Sequence, residues 1–223
     1  MTDPKGKTIV IAASKGGVGK STIATALAVR AAAECPKVAL LDFEAQASAS
    51  LWHRLRGSPQ NPALAKVSND IARDIDKLRA LGFRWIIVDT PPDDMDTIDR
   101  AVEAADFVLI PTRVGLFDLA GIQAVIGSCQ EYSKPFAFVL NGTNPEEPGW
   151  SRLIKSAADA LKQLGPVLPK TIRERAAYIS ALNNGKSGPE SADKRQAAAA
   201  STEVDAMWQS VKRLCGRKAG APA

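Results

Sequence analysis

Lys15-Gly16-Gly17-Val18-Gly19-Lys20-Ser21-Thr22 stands between an apolar run at 8–13 and a helical run from Ile23 to Ala33. Strand, glycine loop and helix form the context a phosphate-binding loop needs. Glycines let the backbone curl until successive N–H groups point at phosphate oxygens. The following helix adds unpaired N–H groups and the positive end of its dipole. In this reading Gly16, Gly17, Val18 and Gly19 cradle phosphates, and Lys20 reaches the β- and γ-phosphates. The Ser21 hydroxyl ligates Mg²⁺, and Thr22 bonds a further phosphate oxygen.

The general pattern G-x-x-x-x-G-K-S/T would place its first glycine at Ser14. What stands here is K-G-G-V-G-K-S-T, with an extra lysine at Lys15. This resembles the deviant Walker A motif of the ParA/MinD family of dimeric ATPases, closest to short ParA-type partition proteins. The resemblance implies a P-loop NTPase fold of the α/β class, with ATP and Mg²⁺ as ligands. It also implies that Lys15 crosses a two-fold axis to touch the phosphates of a second subunit. ATP would then hold a homodimer together, and loss of the γ-phosphate would loosen it.

Independently of the motif, apolar runs alternate with helical patterns along the 223 residues. Strand runs fall at 38–42, 84–89, 107–111 and 136–141, each followed by a polar loop and a helix. Such repetition predicts a mostly parallel sheet with helices on both faces. Ligands then bind at the carboxyl ends of strands, where Asp42, Asp89 and Asn141 fall. A helix is expected over 69–81 with Ile71, Ile75, Leu78 and Leu81 on one face, and another over 150–164. Residues 141–149 read as a long exposed loop, 167–168 as a last short strand, and 217–223 as a disordered tail. No linker divides the chain, so 1–223 is expected to form one domain.

Composition narrows the setting. No run approaches the ~18 apolar residues of a membrane span, and the polar N-terminus has no secretory signal. A first strand within ten residues leaves no room for an N-terminal DNA-binding domain. Cys35, Cys129 and Cys215 are isolated, without C-x-x-C spacing, which argues against a zinc or iron–sulfur site and suits the cytoplasm. The net charge of +5 is uneven: residues 1–149 carry −2 and residues 150–223 carry +7. A basic C-terminal third suits a polyanion surface, or simply a solvated face.

Phosphoryl transfer needs charge neutralisation, positioning and an oriented water. Asp89 ends a hydrophobic strand before Thr90-Pro-Pro-Asp93, a Walker B-like position for a carboxylate on Mg²⁺. The stretch 40–48, L-L-D-F-E-A-Q-A-S, resembles the family's D-x-D-P-Q-x-S switch I. Asp42, Gln46 and Ser48 match; Glu44 replaces the second Asp and Ala45 the proline. By that resemblance Asp42 supports Mg²⁺ and Glu44 positions the attacking water. The longer glutamate is less tightly placed, and small misplacements cost ~10²-fold in rate, so a slow or partner-stimulated ATP hydrolase is expected.

The resemblance also places Asn141 on the adenine edge, with a turn-starting Asn-Gly as the competing reading. Arg113 and Asp118 would lie near the dimer interface or shape their own loop. Further on, Lys186, Lys194, Arg195, Lys212 and Arg213 are candidates for non-specific contacts to duplex DNA. His53 reads as a helix-surface residue.

The leading expectation is therefore an ATP-closed homodimer that binds the nucleoid and positions a plasmid, chromosome region or other cargo. A ParB-like or cargo-adaptor protein would trigger hydrolysis. Two other classes stay open. One is a MinD-like membrane-cycling ATPase, using Val204, Met207, Trp208, Val211 and Leu214 as a lipid-facing stripe; docking of that helix on the sheet is the expected alternative. The other is a metabolic amidoligase or small-molecule kinase, for which no acid–base constellation is found.

Overall fold

The computed structural model describes residues 6–44, 46–115 and 119–216. Ala45, Asp118 and the tail at 217–223 lie outside the described residues. Seven parallel strands form one sheet in the order β3-β2-β4-β1-β5-β6-β7. They are β1 Lys7–Ile11, β2 Val38–Asp42, β3 Ala63–Leu64, β4 Trp85–Asp89, β5 Phe107–Arg113, β6 Phe136–Thr143 and β7 Ile172–Arg173. Continuous Val/Ile/Leu runs suit such strands because both faces are covered.

The alternation of side chains along each strand feeds two cores. Ile9, Ile11, Leu40, Ile87, Leu109 and Val139 face one side, under α1 (Lys20–Ala32) and α8 (Lys194–Cys215). Val10, Leu41, Val88, Val108, Ile110 and Leu140 face the other. There they meet α3 (Ile71–Ala80), α4 (Met95–Glu103), α5 (Leu119–Glu131) and α6 (Trp150–Lys162). Helix α1 is buried almost all round, and its alanines let the sheet, α2 (Ser48–Leu55) and α8 approach closely.

Helix α8 docks on this core. Val204, Met207, Trp208 and Val211 are all buried, and Trp208 meets Trp85 edge-on at 4.7 Å between centroids. Its indole N–H donates to Glu34 at 2.9 Å. Burying a side chain of this size stabilises by about 2–3 kcal/mol, so the stripe proposed for lipid is committed to the protein interior. Among the described residues no helix is long and apolar enough to cross a membrane.

Several local expectations change. Leu81 caps α3 and is 62% exposed, outside the buried face of Ile71, Ile75 and Leu78. Strand β6 runs on through Asn141, Gly142 and Thr143, all buried, so the exposed loop starts later than expected. The last strand is β7, at Ile172–Arg173, whereas Val167 makes only an isolated bridge with Phe138. His53 is buried, not on the surface: its Nε2 lies 3.1 Å from the carbonyls of Pro59 and Pro62.

Candidate nucleotide and metal site

Register assembles the site. Strand β4 lies between β1 and β2, and the parallel ladders pair Ile11 with Asp89 and Asp42 with Asp89. Two strand-end carboxylates and the root of the glycine loop therefore share one level at the carboxyl edge of the sheet, where chain order reverses around β1.

The loop turns back on itself through Gly17 and Gly19, at φ 74° and 95°. Gly19 is the N-cap of α1 and no side chain caps this helix; its first turn holds no acidic residue. Its leading N–H groups thus face the loop interior, an arrangement that favours anions. A Cβ on Gly19 would meet Asn141 Nδ2 at 2.1 Å, so only glycine fits here. That same Nδ2 donates to the Val18 carbonyl at 2.7 Å. Asn141 from β6 thus braces the loop, a role its position in sequence did not reveal. On the other side, Asp93 N–H donates to the Ser14 carbonyl at 2.8 Å, tying the segment after β4 to the loop.

Lys20 is buried and donates to the Lys15 carbonyl at 3.1 Å. Burial pulls its ammonium below the ordinary lysine value, while Asp89, Glu44 and Asp93 oppose that. Lys15 itself makes no ion pair among the described residues.

Asp42, Glu44 and Asp89 bring carboxylate oxygens within 4.8 Å of one another. Their surroundings differ. Asp42 is satisfied by protein donors: Glu44 N–H at 3.1 Å on Oδ1, and Ser50 N–H and Oγ at 2.8 Å each on Oδ2. Asp89 is fully buried and neither oxygen has a hydrogen-bond partner. Burial, then the charges of Asp42 and Glu44, raise its pKa to about 7, with the nearby Ser21 hydroxyl and Lys20 opposing. Although near Asp89, the Ser21 hydroxyl makes its hydrogen bond with Glu44 Oε2, a long one at 3.4 Å.

Orphaned buried oxygens beside two further carboxylates and a serine hydroxyl fit a hard, oxygen-seeking divalent cation. Asp89 is the free acceptor, Ser21 and Glu44 are adjacent, and Asp42 is spent on holding α2. The sequence pattern missed Ser50, although its place in the first turn of α2 was the available signal.

The five DNA candidates do not form one patch. Lys186 is exposed on the turn after α7 (Ala176–Leu182), and Lys194 and Arg195 are exposed at the start of α8. Lys212 and Arg213 lie eighteen or so residues along, roughly 27 Å away at 1.5 Å per residue. Lys212 is also occupied: it pairs with Glu34 at 2.8 Å and lies over the Trp208 ring. Arg213 is exposed.

A family model for the CobQ/CobB/MinD/ParA nucleotide binding domain matches residues 9–188. The chain belongs to this family. Among curated relatives it is 30% identical over 197 residues to the maintenance of carboxysome distribution protein A of Halothiobacillus neapolitanus, spanning 84% of this chain and 88% of that protein. It is 26% identical over 174 residues to the chromosome-partitioning ATPase Soj of Thermus thermophilus, spanning 65% and 67%.

Solved structures share the family's fold at lower identity. A plasmid partition protein of Borrelia burgdorferi bound to AMPPNP superposes with TM-score 0.68 at 19% identity, over 92% of this chain and 100% of that one. An ATP complex of a Cyanothece McdA variant gives TM-score 0.69 at 18% identity, over 99% and 100%. The matched residues 9–188 include every strand from β2 to β7 and the whole glycine loop.

Proposed function

We propose that this protein is an ATP hydrolase that dimerises on ATP and, as a dimer, binds duplex DNA without regard to sequence to position a cargo on the nucleoid. The observation that carries the reading is the conjunction of Lys15, the Gly19–Lys20–Ser21 helix start and the unpartnered Asp89 at one sheet edge. The match to a carboxysome distribution protein over 84% of the chain favours a discrete cargo over a plasmid in particular.

In this reading Gly16 to Thr22 and Lys20 bind the triphosphate. Bound Mg²⁺ supplies charge neutralisation at the β- and γ-phosphates. Asp89 and Ser21 hold that ion, and Asp42 supports its shell while fixing the start of α2 through Ser50. Glu44 orients the attacking water. Lys15 reaches the phosphates of the second subunit, so that the dimer depends on the γ-phosphate. Lys186, Lys194 and Arg195 contact DNA phosphates at each end of the dimer. A cargo-bound protein partner accelerates a turnover that is slow by itself.

The test is fluorescence anisotropy of an arbitrary duplex with ATP–Mg²⁺, with ADP and with neither, at two salt concentrations. Binding that requires ATP and falls steeply with salt is expected. Salt-insensitive binding, or none in any state, would refute the reading. Lys20→Ala should abolish ATP binding, whereas Lys15→Ala should retain it and remain monomeric.

A further inference from the structure

Strand β6 gains one residue on its neighbour just where it meets the glycine loop. One step on β7, from Ile172 to Arg173, is matched on β6 by two, from Asn141 to Thr143. Gly142 is the extra residue, and it stands at φ 64°. A bulge of this kind re-aims the side chains beside it and recurs next to binding sites. The side chain beside it here is Asn141, which donates to the Val18 carbonyl at 2.7 Å and fills the space next to Gly19.

Arg113 covers this bulge. It ends β5 opposite Asn141 in the parallel ladder, so the two side chains share one face of the sheet. The edge of its guanidinium takes the space a side chain on Gly142 would need. A Cβ there would meet Arg113 Nε at 2.5 Å, Nη2 at 2.6 Å and Cζ at 2.9 Å. Beyond the glycine, Nη2 pairs with Glu174 at 3.6 Å. Glu174 N–H in turn donates to the Thr143 carbonyl at 2.8 Å, on the far side of the bulge. One arginine thus reaches from β5 across β6 to the residue after β7.

Each part of this bridge depends on its residue type. Glycine adopts φ 64° freely and leaves room for the guanidinium. A lysine would carry the charge toward Glu174 but not the flat edge that fills the gap over Gly142. The Arg113 and Glu174 side chains are 34% and 57% exposed, so their ion pair by itself contributes little. Its effect is to keep the guanidinium lying on the bulge.

We propose that Arg113 is a positioning residue for the nucleotide: it holds the Gly142 bulge in the form that aims Asn141 at the glycine loop. The inference deepens the nucleotide site of the proposed function and rests on that reading. Arg113 acts on Asn141, and Asn141 acts on Val18 and Gly19. Without the guanidinium the bulge loses the group that pins it, Asn141 leaves the Val18 carbonyl, and the loop is no longer ordered before ATP arrives. Binding then bears the cost of that ordering, and affinity falls.

The full-length protein and its variants are titrated with a fluorescent ATP analogue and Mg²⁺. Arg113→Ala should weaken binding by about fivefold, somewhat less than Asn141→Ala. Arg113→Lys should recover only part of that loss, and Glu174→Gln should change binding by less than about twofold. Arg113→Ala combined with Asn141→Ala should bind no more weakly than Asn141→Ala alone, because the two side chains act in series. Amide hydrogen exchange of the nucleotide-free protein is the second readout. Arg113→Ala should speed exchange at Val18, Gly19 and Lys20 by about threefold or more, while β1 and β4 exchange as before. Additive losses in the double variant, full recovery with lysine, or exchange that is unchanged at the loop or faster everywhere overturns the proposal. Neither readout involves DNA or a second subunit, so a chain that failed the duplex assay and passed these would lose the proposed function and keep this inference.

Discussion

Asn141 Nδ2 donates to the carbonyl of Val18 across 2.7 Å, and the same nitrogen occupies the space a Cβ on Gly19 would need. The last residues of β6 therefore hold the glycine loop in shape. Asn141→Ala leaves a buried carbonyl unpaired, at a cost of about 1–3 kcal/mol, and ATP affinity should fall by about tenfold. Gly19→Ala should do more harm, because it also forces φ 95° on a residue with a side chain. Isothermal titration with an ATP analogue reads both. The double variant should lose less than the sum, since one contact is shared.

Asp89 sets a pH dependence. Its pKa is raised from 3.8 in the unfolded chain to about 7 in the fold. Proton uptake therefore favours the folded state, and the metal-free protein should lose stability as pH rises from about 4 to about 7. The loss is on the order of 4 kcal/mol at most. Above pH 7, Mg²⁺ should restore stability. Asp89→Asn should flatten the slope and remove the Mg²⁺ response. Urea unfolding across pH, with and without Mg²⁺, measures this. An unchanged slope in the variant would assign the effect to another group.

Ser50 acts on Asp42 from the first turn of α2. Ser50→Ala keeps the backbone N–H bond and loses the hydroxyl bond at 2.8 Å. A hydrogen bond to a charged acceptor contributes about 1.5–3 kcal/mol. ATP binding should change little, while turnover should drop about tenfold. Steady-state hydrolysis beside equilibrium ATP binding separates the two, and Ser50→Thr should recover much of the loss.

Glu203 of α8 is a buried anion with four donors on three groups. It accepts from Arg175 Nε and Nη2 at 3.0 and 2.6 Å, from Tyr178 Oη at 3.0 Å and from Arg173 N–H at 3.3 Å. Breaking a buried pair costs about 3–5 kcal/mol because the remaining charge is left alone. Glu203→Ala should lower Tm by roughly 10 °C, at about 2–4 °C per kcal/mol for a chain of this size. Glu203→Leu combined with Arg175→Met should recover part of it, as thermal unfolding followed by circular dichroism would show.

Local patterns carried much of this structure. The glycine loop depends on φ values that glycine alone adopts freely, so its place and shape are written in a few adjacent residues. Continuous apolar runs fixed β2, β4, β5 and most of β6, because a strand covered on both faces has no polar side to show. Short edge elements such as β3 and β7 left little trace, since two residues hold no periodicity. The apolar stripe of α8 was equally visible, yet whether it met lipid or protein depended on α1 and the turn after it, which presents Glu34 to both Trp208 and Lys212.

Asp42 and Asp89 each ended a strand, and the sequence by itself determined that both carboxylates lie at the ligand-binding edge. Only the tertiary structure decided their difference. Parallel register set them side by side; the turn into α2 then satisfied Asp42 with Ser50, while nothing reached Asp89. Partners of this sort are chosen by which elements meet in space, and the energy of an unpaired buried charge has no counterpart in the order of residues along the chain.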